Sequence, residues 1–146
     1  MSTAPVLARE DQGRVRRLIL NRPEKKNALS GELADALVAA LEEANADPSV
    51  GAVVLASTGD MWSAGVDINV FLQIAQGKAP PASLVFMAKH LRAFEKPLIA
   101  CIQGPTVGMG VTILPFFDMV YAAERATFTT PFVQLGLVLE YGSSFT

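Results

Sequence analysis

The side chains that usually carry chemistry are few in this sequence and poorly spaced for it. There is one histidine, His90, between Lys89 and Leu91 in a helical pattern, and one cysteine, Cys101, inside the apolar run Leu98–Ile102. A single residue of each type supplies neither a Ser/His/Asp triad nor a zinc-ligand spacing. A lone thiol in an apolar run reads as a buried structural residue. Gly108-Met109-Gly110 lacks the third glycine of a dinucleotide fingerprint, and no P-loop occurs. What remains is chemistry done by the backbone. Two segments share one order: buried strand, glycine-containing turn, helix start. Gly51–Ser57 leads to Trp62-Ser63-Ala64-Gly65-Val66-Asp67, and Leu98–Ile102 leads to Gln103-Gly104-Pro105-Thr106-Val107-Gly108-Met109-Gly110. Helix starts carry free N–H groups and a partial positive charge. Two such ends meeting at one point could hold an anionic oxygen, as an oxyanion hole does. Spacing alone favours glycines that only make turns.

The elements that must position these turns follow from periodicity and punctuation. Val6–Arg9 and Arg14–Asn21 flank the turn-like Glu10-Asp11-Gln12-Gly13 and predict a hairpin, which ends at Pro23. Ser30 is a suitable N-cap and Glu32 suits a first helical turn. Leu33, Ala36, Leu37, Ala40, Leu41 and Ala44 then fall on one helical face until Asp47-Pro48. Gly51–Ser57 reads as a strand covered on both faces. A loop over 58–67, a helix over Ile68–Gln76, the short linker Gly77–Pro81, a helix over Ala82–Phe94 and a strand over Leu98–Ile102 follow. A helix begins near Gly108. Met119–Ala122 and Ala126–Thr129 read as strands, and Phe132–Leu135 as a loop or a turn of helix. Strand, helix, strand in this order predicts α/β organisation with parallel pairing.

Composition sets the outer limits. An apolar fraction of 51% and a charged fraction of 18% over 146 residues describe one globular domain. With a net charge of −2 and no basic run, nucleic acid is not an expected partner. Residues 1–5 show no signal pattern, and no apolar stretch is long enough to span a bilayer, so the expected setting is the cytoplasm. The last residues, Tyr-Gly-Ser-Ser-Phe-Thr, read as a loop entering a further element, so a chain cut short at its C-terminus is expected.

At four places in order the chain resembles the crotonase (enoyl-CoA hydratase/isomerase) family: Leu20–Leu29, Trp62–Ile68, Gln103–Gly110 and Asp118–Ala122. The resemblance implies an α/β crotonase-like spiral of ββα units over residues 1–146, incomplete after its core because the last helices are absent. It implies a coenzyme A thioester as substrate, no further cofactor, and a homotrimer or dimer of trimers for a full-length chain. By position, the N–H groups of Val66, after Gly65, and Met109, after Gly108, should face the thioester oxygen. Ala28 and the segment Ala64, Gly65, Val66, Asp67 and Ile68 should contact the CoA moiety, with Asp67 mainly supporting its loop.

Hydratases of the family activate water with two glutamates, and the matching positions here hold Thr112 and Phe132, neither of which can serve as acid or base near neutral pH. Thr130-Pro131-Phe132 through Leu135-Gly136-Leu137 to Glu140 is similar instead to the peroxisomal-type Δ3,Δ2-enoyl-CoA isomerase branch, which implies Glu140 as the catalytic base. Glu140 also closes the apolar run Leu135–Leu139, as expected of a carboxylate at a pocket wall. A hydratase or other crotonase-type reaction, or a silent acyl-CoA-binding module, are the alternatives.

Overall fold

A computed structural model describes residues 4–143; Met1–Thr3 and Ser144–Thr146, with the end of the loop read at the C-terminus, lie outside the described residues. The hairpin forms from β1 (Leu7–Gln12) and β2 (Val15–Leu20), antiparallel from Leu7↔Leu20 to Gln12↔Val15. The turn is therefore tighter than the sequence predicts. Glu10, Asp11 and Gln12 continue the strand, because Asp11 pairs across the ladder with Arg16, whose guanidinium bonds both its oxygens at 3.1 and 3.2 Å. The Arg16 side chain is only 2% exposed and also reaches Asp47 at 3.0 Å, tying the hairpin to the end of the first helix.

That helix, α1 (Gly31–Ala46), starts where Ser30 accepts the Leu33 N–H at 3.2 Å. Its stripe of Leu33, Ala34, Leu37, Leu41 and Ala44 is buried against the sheet. Four strands run parallel in the order β2, β3 (Ala52–Ser57), β4 (Leu98–Ile102) and β6 (Met119–Ala122), with β1 on the outside of β2. Right-handed crossovers are the rule for such parallel units, and helices supply them here. They are α1, then α2 (Ile68–Ala75) with α3 (Ala82–Arg92), then the single turn α4 (Met109–Thr112). A second, small parallel sheet pairs β5 (Thr106–Val107) with β7 (Phe128–Thr129).

Leu18, Leu20, Val53, Leu55, Leu98, Ala100 and Ile102 make the covered face of the large sheet, under α1 and α3. The other face of β3 is only half covered among the described residues, so the apolar run 51–57 is not the two-sided core strand that its composition predicts. For the same reason Cys101, on the less covered side of β4, is half-buried rather than enclosed. No helix is long and apolar enough to cross a membrane among the described residues. Leu37 is 1% exposed at the centre of the α1 stripe. Leu37→Ala is expected to cost about 2–5 kcal/mol, read as a lower urea midpoint with an unchanged slope.

A candidate active site in an apolar cavity

Two strand-end loops carry the site, and backbone pairing locks them together. The Leu29 N–H donates to the Gly65 carbonyl at 2.7 Å and the Asp67 N–H to the Leu29 carbonyl at 3.0 Å. This bridge uses the residues on either side of Val66, and the Val66 N–H has no acceptor among the described residues. The segment beyond β4 joins the first through Ser63 and Thr106, with the Val107 N–H donating to the Ser63 carbonyl at 2.9 Å and the Trp62 N–H to the Pro105 carbonyl at 3.0 Å. Met109 opens α4, where a first-turn N–H has no partner within its helix, and none is found elsewhere among the described residues. Gly65, at φ +83°, is the point of closest approach. A Cβ there would lie 3.4 Å from the Met109 nitrogen and 2.7 Å from the Val107 carbonyl oxygen.

Val66 and Met109, which carry these free N–H groups, both line a cavity of about 380 Å³. Val70, Phe71 and Ile74 of α2, Leu84 and Val85 of α3, and the buried Phe132 make its walls apolar. Among the described residues that line it, Glu140 is the one charged side chain. Burial lifts its carboxyl above the ordinary range for glutamate, while a hydrogen bond from the Thr112 hydroxyl pulls in the opposite direction. That bond, from Oγ1 to Oε1 at 3.2 Å, joins residues 28 apart in sequence.

The loop carrying Glu140 is pinned on both sides. The Ser143 N–H and hydroxyl donate to the Glu140 carbonyl at 2.9 and 2.6 Å. Tyr141 adopts a left-handed backbone, φ 53°, and its hydroxyl donates to the Leu84 carbonyl on α3. Its ring meets Phe116 edge-on at 6.4 Å, and burial beside Glu140 pushes the phenol well above its usual pKa. A non-glycine residue held at positive φ by tertiary contacts is a common mark of a functional loop.

A frame of buried polar groups stands behind the first loop. Asn27, wholly buried, donates to the carbonyls of Thr58 at 2.7 Å and Met61 at 2.9 Å and accepts the Arg22 N–H at 2.8 Å. Arg22 Nη1 donates to the Ala28 carbonyl at 2.6 Å and to the Asp67 carboxylate at 3.0 Å. Burial works to raise the Asp67 pKa, but hydrogen bonds from Asn69 and Arg22 outweigh it and hold the carboxyl below its usual value. A depressed carboxyl stabilises the fold above its unfolded pKa, and that contribution is lost as pH falls through the folded one. Arg22→Met is therefore expected to destabilise the protein by about 3 kcal/mol at neutral pH, and by less in acid, in chemical denaturation at several pH values.

Of the residues singled out from sequence, the fold brings Ala64, Gly65, Val66, Gly108, Met109 and Glu140 to one cavity wall. Ala28, Asp67 and Ile68 do not line it. The Ala28 carbonyl is taken by Arg22, Asp67 caps α2 and pairs with Arg22, and Ile68 is 71% exposed at the first turn of α2. Thr112 and Phe132, set aside in the sequence as incapable of acid–base work, both belong to the site. Thr112 bonds the carboxylate, and Phe132 walls the cavity. The apolar run Leu135–Leu139 and the resemblance over Thr130–Glu140 are the sequence signals that pointed to this wall.

Fold and site together define an α/β protein with a parallel sheet, two facing glycine loops and a single carboxylate in an apolar cavity. The chain belongs to the enoyl-CoA hydratase/isomerase family, whose model matches residues 10–146. It is 41% identical over 143 residues to enoyl-CoA delta isomerase 2 of Homo sapiens, a match covering 90% of this chain and 35% of the relative. It is 34% identical over 127 residues to hydroxycinnamoyl-CoA hydratase-lyase of Pseudomonas fluorescens, covering 82% of this chain and 46% of that protein. An enoyl-CoA hydratase/isomerase structure from Pseudoalteromonas atlantica T6c superposes with a TM-score of 0.87 at 38% identity, over 96% of this chain and 55% of that one. The chain thus spans between about a third and about half of the length of these proteins, and its fold is that of the crotonase family.

Proposed function

We propose that the protein binds an acyl-CoA and moves the double bond of a 3-enoyl-CoA into conjugation, giving the 2-enoyl-CoA. The observation that carries this reading is the single carboxylate, Glu140, on the wall of a cavity otherwise lined by apolar side chains and backbone. One carboxylate suits a reaction in which the proton removed is the proton returned. Ionised Glu140 takes a proton from C2, and the electron pair moves through the carbonyl carbon onto the thioester oxygen. The N–H groups of Val66 and Met109 form the oxyanion hole for that oxygen, where fixed donors in a site shielded from water are strongest. Neutral Glu140 then delivers its proton to C4 as the C3–C4 double bond shifts to C2–C3. The reaction needs no cofactor beyond the CoA carried by the substrate.

The delta isomerase relative supports this choice, and the hydratase-lyase relative defines the alternative. Adding water calls for a second acid–base group, and Thr112 and Phe132 offer none. Conversion of a 3-enoyl-CoA, followed by the absorbance of the conjugated thioester, tests the proposal. Hydration of a 2-enoyl-CoA with no action on the 3-enoyl isomer would overturn it, as would CoA-ester binding in calorimetry with no turnover of either.

A further inference from the structure

We propose that Thr112 is a positioning residue that holds the Glu140 carboxylate in fixed register with the Met109 N–H and donates its hydroxyl to it in both protonation states. The inference rests on the isomerase reading of the same site. Thr112 is 3% exposed and ends the one-turn helix that Met109 begins. Its backbone is fixed to the second loop, since its N–H donates to the Gly108 carbonyl at 3.1 Å. Its hydroxyl lies 3.2 Å from Glu140 Oε1 and 3.5 Å from the Met109 carbonyl. One helical turn therefore carries a free N–H at its start and the support of the carboxylate at its end. The distance between the two active groups is set by that turn, not by the long chain path between residues 109 and 140.

A threonine hydroxyl has one proton to give and two lone pairs to accept with. Two acceptors stand in reach, and the shorter contact is the carboxylate. When Glu140 is ionised the hydroxyl donates to Oε1, leaving Oε2 free to take the substrate proton. When Oε2 carries the proton, Oε1 is a carbonyl oxygen that still accepts from the Thr112 hydroxyl, more weakly than the ionised carboxylate does. Either state is satisfied without moving a heavy atom. The other titratable group on the cavity wall is Tyr141, whose hydroxyl is already engaged by Leu84, and no lysine, arginine or histidine lines the cavity among the described residues. Thr112 is thus the group that opposes the upward push of burial on Glu140.

The test compares Thr112→Val, which keeps the shape and removes the hydroxyl, with Thr112→Ser, which keeps the hydroxyl. Loss of a hydrogen bond to a charged group should lower kcat/KM for a 3-enoyl-CoA about tenfold in the valine variant. The acid limb of the pH profile should move to higher pH in that variant, and the serine variant should restore both. The Glu140 side-chain carboxyl is titrated in parallel by carbon-13 NMR, its signal identified by its loss in Glu140→Gln. An upward move in Thr112→Val, reversed in Thr112→Ser, supports the inference even if no isomerase activity is found, in which case only the reading of the reaction fails. An unmoved titration in a folded Thr112→Val protein overturns the inference, whether or not the enzyme isomerises its substrate. If the valine variant does not fold, a normal titration and pH profile in Thr112→Ala would overturn it equally.

Discussion

Replacing Glu140 with glutamine is expected to lower kcat/KM for a 3-enoyl-CoA about 100- to 10,000-fold, the range a positioned general base contributes. Glutamine keeps the size of the side chain and can still accept from Thr112, so affinity for a non-reacting acyl-CoA should change little. Stability should move the other way. Because burial raises the Glu140 carboxyl in the folded protein, folding favours its neutral form. That contribution to stability is full below the unfolded pKa and lost as pH rises through the folded one. At neutral pH the wild type holds a half-buried charge that the glutamine variant lacks. Glu140→Gln should therefore melt higher than wild type at pH 7, and the difference should shrink in acid. Equal turnover in the two proteins would remove Glu140 from the reaction. A variant less stable at pH 7 would show instead that the carboxylate has a structural partner stronger than Thr112.

Gly65→Ala is the second large effect, and it acts through the backbone. At φ +83° an alanine costs about 1–2 kcal/mol in conformation alone. Its Cβ would also stand 2.7 Å from the Val107 carbonyl oxygen, so one of the two loops must move. Since Val66 follows directly, its N–H shifts, and losing one oxyanion donor typically costs about 100- to 1,000-fold in kcat. Gly77→Ala is the matching control. Gly77 also has positive φ, +80°, but a Cβ there meets nothing within 4 Å. Both variants should melt lower through the shared conformational cost, Gly65→Ala by more because of its contact with Val107, while only Gly65→Ala should lose turnover in the folded protein. Parallel loss of activity in both would mean that general destabilisation, and not the displaced N–H, is responsible.

The helices and parallel strands were legible because each rests on local signals. Ser30 caps α1, its leucines repeat at helical spacing, and Asp47-Pro48 ends it, much as the fold shows. The two glycine loops were visible as a repeated order of elements, but their meeting was not. It depends on the bridge of Ser63 to Thr106 and on the lack of a side chain at Gly110, where a Cβ would lie 3.1 Å from both of their side chains, a fit that no single segment encodes. Arg16 is buried because Asp11 and Asp47 come to it from two other elements, which its own segment does not encode. Thr112 was read only for what it cannot do as an acid or base. Its bond to Glu140 arises from a return of the chain across the cavity, which has no local signature. Ala28 owes its surroundings to a distant side chain. A resemblance assigned it to substrate contact, and its surroundings depend on Arg22, whose reach could not be read from spacing.

In the proposed reaction the site divides between backbone and side chain, and that division bears on how its chemistry can be replaced. The polarising half is made of peptide groups clamped between sheet edges, and a Cβ on Gly104 would run into the Asp60 carbonyl that it packs against. That half uses the N–H groups of Val66 and Met109 and not their side chains, and its geometry is set by the glycines around them. The proton-handling half consists of two side chains, on a one-turn helix and on a loop hooked to α3 by Tyr141. Neither of those two side chains takes part in the strand pairing or in the bridges that hold the two loops together. A scaffold divided in this way can exchange one reaction for another by drift at a few sites while keeping its means of activating the substrate throughout.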